Sequence, residues 1–159
     1  MILGLISDTH GLLRPEVFRV FEGVERIVHA GDVGTPDILD ELEAIAPVTA
    51  VWGNTDGFDV RRRLPETADL VLEGVAIRLV HGQQFGRPRA RDVAAANEDV
   101  GLVVFGHSHA PEIERVGEVL AVNPGSAGPV RFKLPVTVAL AEIQTNGDVT
   151  ARLIELVKR

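Results

Sequence analysis

Short apolar runs recur along this chain at intervals that a helix would fill, and each run ends on a polar residue able to do chemistry. Ile2 to Ser7 reads as a strand that closes on Asp8. Pro15 then opens a helix predicted to reach about Gly23, with Val17, Val20 and Phe21 on one face. The unit repeats: Arg26 to Ala30 reads as a strand, Gly31-Asp32-Val33-Gly34 as a loop, and Thr35-Pro36 to Ala46 as a helix carrying Ile38, Leu39, Leu42 and Ile45. Thr35 is placed as the N-cap and Pro36 as the first helical residue. A third strand, Val48 to Trp52, runs straight into Gly53-Asn54-Thr55-Asp56.

The pattern then changes. Asp69 to Glu73 and Val75 to Val80 flank Glu73-Gly74 and predict a hairpin ending at His81. Pro88 to Asn97 predicts a helix, and Leu102 to Phe105 a buried strand leading to His107 and His109. Glu112 to Val116, Val119 to Val122, Val136 to Gln144 and Val149 to Val157 read as antiparallel strands, the last two joined through Asn146-Gly147-Asp148. Arg131 to Pro135 reads as a surface loop. The early parallel units and the late antiparallel strands each need a buried face. The expected fold is therefore α/β, a four-layer α/β/β/α sandwich of two mixed β-sheets flanked by helices. In such sheets ligands gather at the carboxyl ends of the strands, so the first three loops should meet at one edge.

Composition narrows the classes. With 159 residues, 45% of them hydrophobic, and with no repeat, linker or low-complexity tract, a single domain over residues 1–159 is expected. No apolar run reaches the length of a membrane span and Met1 to Asp8 lacks a signal-peptide pattern, which predicts a cytoplasmic protein without membrane attachment. There is no cysteine, so a metal would be held by His, Asp, Glu, Asn or water. A formal charge of -7 disfavours general nucleic-acid binding but leaves room for a small phosphorylated substrate.

Against that background the polar strand ends become informative. Asp8-Thr9-His10, Gly31-Asp32, Gly53-Asn54-Thr55-Asp56, His81-Gly82 and Gly106-His107-Ser108-His109 follow one another in order. Carboxylate, imidazole and amide oxygen together suit manganese, iron, zinc or nickel better than magnesium or calcium. Ser7, Ser108 and Ser126 lack a nucleophile-elbow context, and neither a phosphate loop nor a dinucleotide fingerprint is present.

This series resembles the motifs of the calcineurin-like metallophosphoesterase superfamily. Chain length and Asn123-Pro124-Gly125-Ser126 are similar to its small, single-domain bacterial and archaeal phosphodiesterase branch. The resemblance implies two divalent cations, Mn2+ favoured over Ni2+, Fe2+ or Zn2+. Asp8, His10 and His109 would hold one, Asn54, His81 and His107 the other, and Asp32 would bridge them. A shared anionic ligand is also what two cations about 3.5–4 Å apart require physically. His107 and His109 would fall on opposite sides of an extended chain and so serve different cations, unless a turn intervenes. The implied reaction is phosphodiester hydrolysis by a hydroxide held at the Asp32, Asn54 and His81 positions, with no side-chain nucleophile.

One position departs from the family: many members carry His where this chain has Thr55, and that His is thought to protonate the leaving group. Thr55 predicts a preference for good leaving groups such as aryl esters. Other residues invite competing readings. His29 lies inside a strand and is left out of the metal set. Asp56 is expected to stand behind the ligands and orient a histidine or water. Arg61, Arg62 and Arg63, and Arg87, Arg89 and Arg91, could guide an anion, although a solvated face is favoured. Asn123 and Ser126 read either as hydrogen-bonding groups near substrate or as a turn. Two alternative functions stand beside the first: a protein-binding scaffold like the retromer subunit that shares this fold, and a phosphomonoesterase or nucleotidase. The exposed edges of two sheets also leave room for a homodimer.

Overall fold

The computed structural model describes residues 1–157, and side-chain alternation sorts them into layers. Strands β1 (Ile2–Ile6), β2 (Arg26–His29) and β3 (Val48–Ala50) lie parallel, with helices α1 (Pro15–Val20) and α2 (Pro36–Glu43) as crossovers. Leu3, Leu5 and Val28 face one way, whereas Ile6 and Ile27 face the other and pack with Val17, Phe21, Ile38, Leu39 and Leu42 of the helices. A Cβ on Gly4 would lie 3.0 Å from the Phe21 ring, so its absence lets that ring lie against β1.

The four-residue helix α3 (Phe58–Arg61) leads to a second sheet containing β4 (Thr67–Leu72), β5 (Val75–Val80), β6 (Leu102–Val104), β7 (Glu112–Val116) and β8 (Val119–Asn123), in spatial order β4-β5-β6-β8-β7. Val75, Ile77, Leu79, Leu102 and Val104 meet the first sheet's inner face, and α4 (Ala90–Ala95) covers the outer face through Ala90, Val93 and Ala94. Two helical layers thus flank two facing sheets. Glu73 and Gly74 both have positive φ (50° and 78°), the pairing required by the two-residue hairpin turn between β4 and β5.

The division of strands differs from expectation. β9 (Thr137–Ile143) and β10 (Val149–Glu155) do not join the other late strands but complete the first sheet, in order β10-β9-β1-β2-β3. β8 runs parallel to β6 as well as antiparallel to β7. β6 is buried along its whole length, with β5 and β8 paired parallel to it on either edge. The first helix stops at Val20, ahead of the turn at Gly23 (φ 84°), and the second at Glu43. Thr35 has the extended backbone of an N-cap, but its hydroxyl makes no capping bond. Among the described residues no helix is long and apolar enough to cross a membrane.

Candidate metal centre

The loops that leave the carboxyl ends of β1, β2, β3, β5 and β6 converge, and all seven residues expected to bind metal lie on them. Asp8, His10 and His109 form one cluster and Asp32, His81 and His107 a second, the candidate ligand atoms of each lying within 4.8 Å of one another. In the first, Asp8 Oδ1 is 3.7 Å from His10 Nε2 and 3.4 Å from His109 Nε2. The two Nε2 atoms are 3.3 Å apart. In the second, Asp32 Oδ2 lies 3.1 Å from His81 Nε2, and Asn54 Oδ1 lies 3.0 Å from His107 Nδ1. The clusters adjoin through Asp32 Oδ2, which is also 3.7 Å from His10 Nε2.

Five of these residues hold a backbone conformation that side chains other than glycine rarely adopt. Among the described residues the positive-φ positions outside glycine are Asp8, His10, Asp32, Glu73, His107, His109 and Phe132, and all but Glu73 and Phe132 belong to the two clusters. Such strain costs on the order of 1–3 kcal/mol per residue and persists where the surrounding structure enforces it. Left-handed turns at both His107 and His109 send the rings to different clusters, so the separation expected of an extended chain arises here from a turn. Steric room is equally specific. A Cβ on Gly53 would lie 2.2 Å from Asp32 Oδ1, and one on Gly106 2.1 Å from Ser7 Oγ.

The donor set suits a cation. Asp8 Oδ2 accepts the Ser7 hydroxyl (2.7 Å) and the His107 amide (3.2 Å), yet Asp8 Oδ1 is buried with no hydrogen-bond partner. Asp32 Oδ1 accepts the Thr55 amide at 2.9 Å, leaving Oδ2 to face the imidazoles. The Ala30 carbonyl, 2.8 Å from His81 Nδ1, can only accept; the proton of a neutral ring is therefore on Nδ1 and the Nε2 lone pair faces the carboxylates. A buried unpaired carboxylate oxygen and a lone pair aimed at a second carboxylate are costly as they stand, and a divalent cation would satisfy both.

Ionisation follows the same geometry. Burial opposes the charge on Asp8 and Asp32, but the surrounding imidazoles outweigh it and hold both carboxyls below the usual range. Burial also disfavours the His81 cation, but Asp32 and Asp8 prevail and raise its pKa. Burial lowers His107 and His109, which keeps those rings neutral and able to donate a lone pair.

Residues around the clusters act mainly on backbone. Asp56, expected to stand behind the ligands, accepts the amides of Val33 (3.1 Å), Gly34 (2.9 Å) and Gly53 (2.9 Å), tying the β2 loop to the β3 loop. His29 belongs to neither cluster. Its Nδ1 accepts the Gly31 amide (3.1 Å), its Nε2 meets Thr9 Oγ1 (3.0 Å), and that hydroxyl donates to the Val33 carbonyl (2.8 Å). Asn123 bonds Ser108 Oγ at 3.0 Å, and Ser126 donates to the Asp8 carbonyl at 3.1 Å, so both brace ligand loops.

Of Arg61, Arg62, Arg63, Arg87, Arg89 and Arg91, four are engaged by other groups of the protein. Arg61 donates to the carbonyls of Asp56 (2.6 Å) and Asn54 (3.3 Å) while stacking 4.1 Å over Trp52. Arg62 lies over Phe58, Arg63 pairs with Asp40 and Arg89 with Glu112. Neither the Thr9–His29 pair nor the Arg61 brace was visible as site machinery in the sequence.

Residues 1–146 match the calcineurin-like phosphoesterase superfamily domain. The chain is 38% identical over 151 residues to a probable metallophosphoesterase of Methanothermobacter thermautotrophicus, covering 88% of this chain and 85% of that protein. It is 35% identical over 151 residues to the phosphodiesterase YfcE of Escherichia coli, covering 79% of each. Among solved structures it resembles wild-type Vps29 of Entamoeba histolytica complexed with zinc, with a TM-score of 0.75 at 26% identity, over 99% of this chain and 100% of that one. The five motifs, the fold that pools them and these likenesses agree: the chain belongs to the calcineurin-like phosphoesterase superfamily.

Proposed function

We propose that the protein is a phosphodiesterase that hydrolyses small phosphodiesters with two divalent cations, manganese favoured. Family membership implies a phosphoric ester hydrolase. The observation that carries the finer reading is Asp32 Oδ2, placed 3.1 Å from His81 Nε2 and 3.7 Å from His10 Nε2, between two clusters that each have a cation's donor set. Bound there, a pair of cations would make water nucleophilic at neutral pH and neutralise phosphate oxygens. Asp8, His10 and His109 would hold one, Asn54, His81 and His107 the other, and Asp32 both. Asp8 and Asp32 supply the negative charge, the Ala30 carbonyl fixes the His81 tautomer, and the Thr55 amide orients Asp32. Thr55 itself offers no proton to a departing alkoxide, so leaving groups that depart as stable anions are favoured.

The test is turnover of bis-p-nitrophenyl phosphate beside p-nitrophenyl phosphate, with metal-stripped protein restored by manganese or nickel and Asp32→Asn as control. Diester hydrolysis that returns with metal and disappears in the variant is expected. Preference for the monoester would replace the reading with a phosphomonoesterase or nucleotidase. A second reading rests on the match to Vps29 structures, one with a TM-score of 0.78 over 98% of the chain: a protein-binding scaffold with weak or no catalysis. Absent turnover despite metal binding, with a partner complex that survives Asp32→Asn, would favour it.

A further inference from the structure

Beside the second cluster a groove of about 730 Å3 opens along His107 and runs between the loop at Arg87-Pro88 and the segment carrying Phe132 and Leu134, with Pro111 on its floor. Of the seven candidate ligands only His107 lines it, so a phosphate at the clusters would lie at its border. Pro88, Pro111, Leu134 and Phe132 supply its apolar lining, beside the ion-paired Arg89 and Glu112. Phe132 is 89% exposed and has a φ of 55°, so an aromatic side chain is displayed there against both the hydrophobic effect and backbone preference. Arg89 is engaged by Glu112, whereas Arg87 pairs with no carboxylate among the described residues. A phenyl ring and a guanidinium both stack well on a flat aromatic ligand.

We propose that this groove seats an aromatic limb of the substrate, so that the preferred phosphodiesters carry an aryl or nucleoside group, with Phe132 determining that preference. The inference rests on the phosphodiesterase reading for the place of the phosphate, but on the groove alone for the limb. An aryl ring and a nucleobase share the planar face that Phe132 would stack on, and the apolar walls favour both over an alkyl group.

The experiment is calorimetric titration of the manganese-restored protein with the methyl, phenyl and thymidine 5′ monoesters of methylphosphonic acid, each carrying the single charge of a diester. The phenyl and thymidine esters are expected to bind about tenfold more tightly than the methyl ester. Phe132→Ala should collapse the three affinities toward one value; with its ring exposed, Phe132 can be removed without opening the core. Arg87→Ala should reduce the same preference in part. The ranking of phenyl against thymidine separates an aryl from a nucleoside substrate. Equal affinities in the unmodified protein, no binding of any ester, or a preference that survives both substitutions would overturn the proposal. Bis-p-nitrophenyl phosphate turnover, followed in the same preparation, judges the phosphodiesterase reading separately. Aromatic preference without turnover would keep the groove and sink the enzyme.

Discussion

Burial pushes the pKa of His29 down to about 4, and the neutral ring is what its contacts require, because Nδ1 must accept from Gly31 while Nε2 donates to Thr9. The unfolded chain binds a proton at this residue below about 6.5 and the folded chain only near 4, so stability contributed here is complete above about 6.5 and falls as pH drops through that window. The whole interval corresponds to about 3 kcal/mol. His107 and His109 act with the same sign and His81 with the opposite one, so the residue's own share is read by difference. Urea unfolding of metal-stripped protein should show a shallower loss between pH 7 and 4.5 in His29→Gln than in the unmodified chain; parallel curves would refute the assignment. Thr55 gives a second prediction at this scale. Rates across a series of aryl diesters should fall steeply as the leaving group becomes more basic, and Thr55→His should raise the slowest substrates most, toward the 10²–10⁴-fold that a general acid typically supplies. A flat dependence would remove Thr55 from the account. At residue level the sequence pointed to each candidate ligand, since all seven follow the ends of five strands. It did not show the support: Thr9 and His29 meet only when β1 and β2 pair in register, and the left-handed backbone falls on Asp and His rather than on glycine.

Among the elements, α3 was the least legible and has the clearest consequence. Four residues are too few to fold on propensity, and this turn is tied to the loop before it by its own last residue, Arg61, whose guanidinium bridges the Asn54 and Asp56 carbonyls and rests on Trp52. Removing it frees the loop that presents Asn54 while leaving Asp8, His10 and His109 untouched. A two-step metal titration of Arg61→Ala should therefore show weaker binding in one step only, by about 10–100-fold, the range for lost supporting bonds. Equal weakening of both steps would mean a general loss of order instead. Arg61→Lys should restore little, because an ammonium cannot bridge two carbonyls as a fork and stacks less well on indole. The longer helices and the strands before residue 105 were readable because their periodicity is local, and the hairpin at Glu73-Gly74 because its turn chemistry is explicit. Sheet membership was not. The apolar run of β9 says that the strand is buried, but its pairing with β1 joins Ile2 to Glu142, and nothing local encodes a partner at that distance.

For the whole molecule, the candidate ligands come from both sheets: Asp8, His10, Asp32 and Asn54 from the first, His81, His107 and His109 from the second. A cation held by either cluster would therefore link the two sheets at one end of the sandwich. His109 reaches across to Asp8 and His10, and Asp32 reaches across to His81. Such a link stabilises the folded chain but not the unfolded one, where the ligands are far apart in sequence. Manganese at one hundred times its dissociation constant should then add about 2.7 kcal/mol, a rise in Tm of about 5–10 °C for a chain of this size. The increment should grow with the logarithm of metal concentration and reverse on chelation. Because Asp32 stands between the clusters, Asp32→Asn should lose most of the increment rather than half of it. Differential scanning fluorimetry across a manganese series decides this: an unchanged increment in the variant would mean that the clusters bind independently and that Asp32 is not shared.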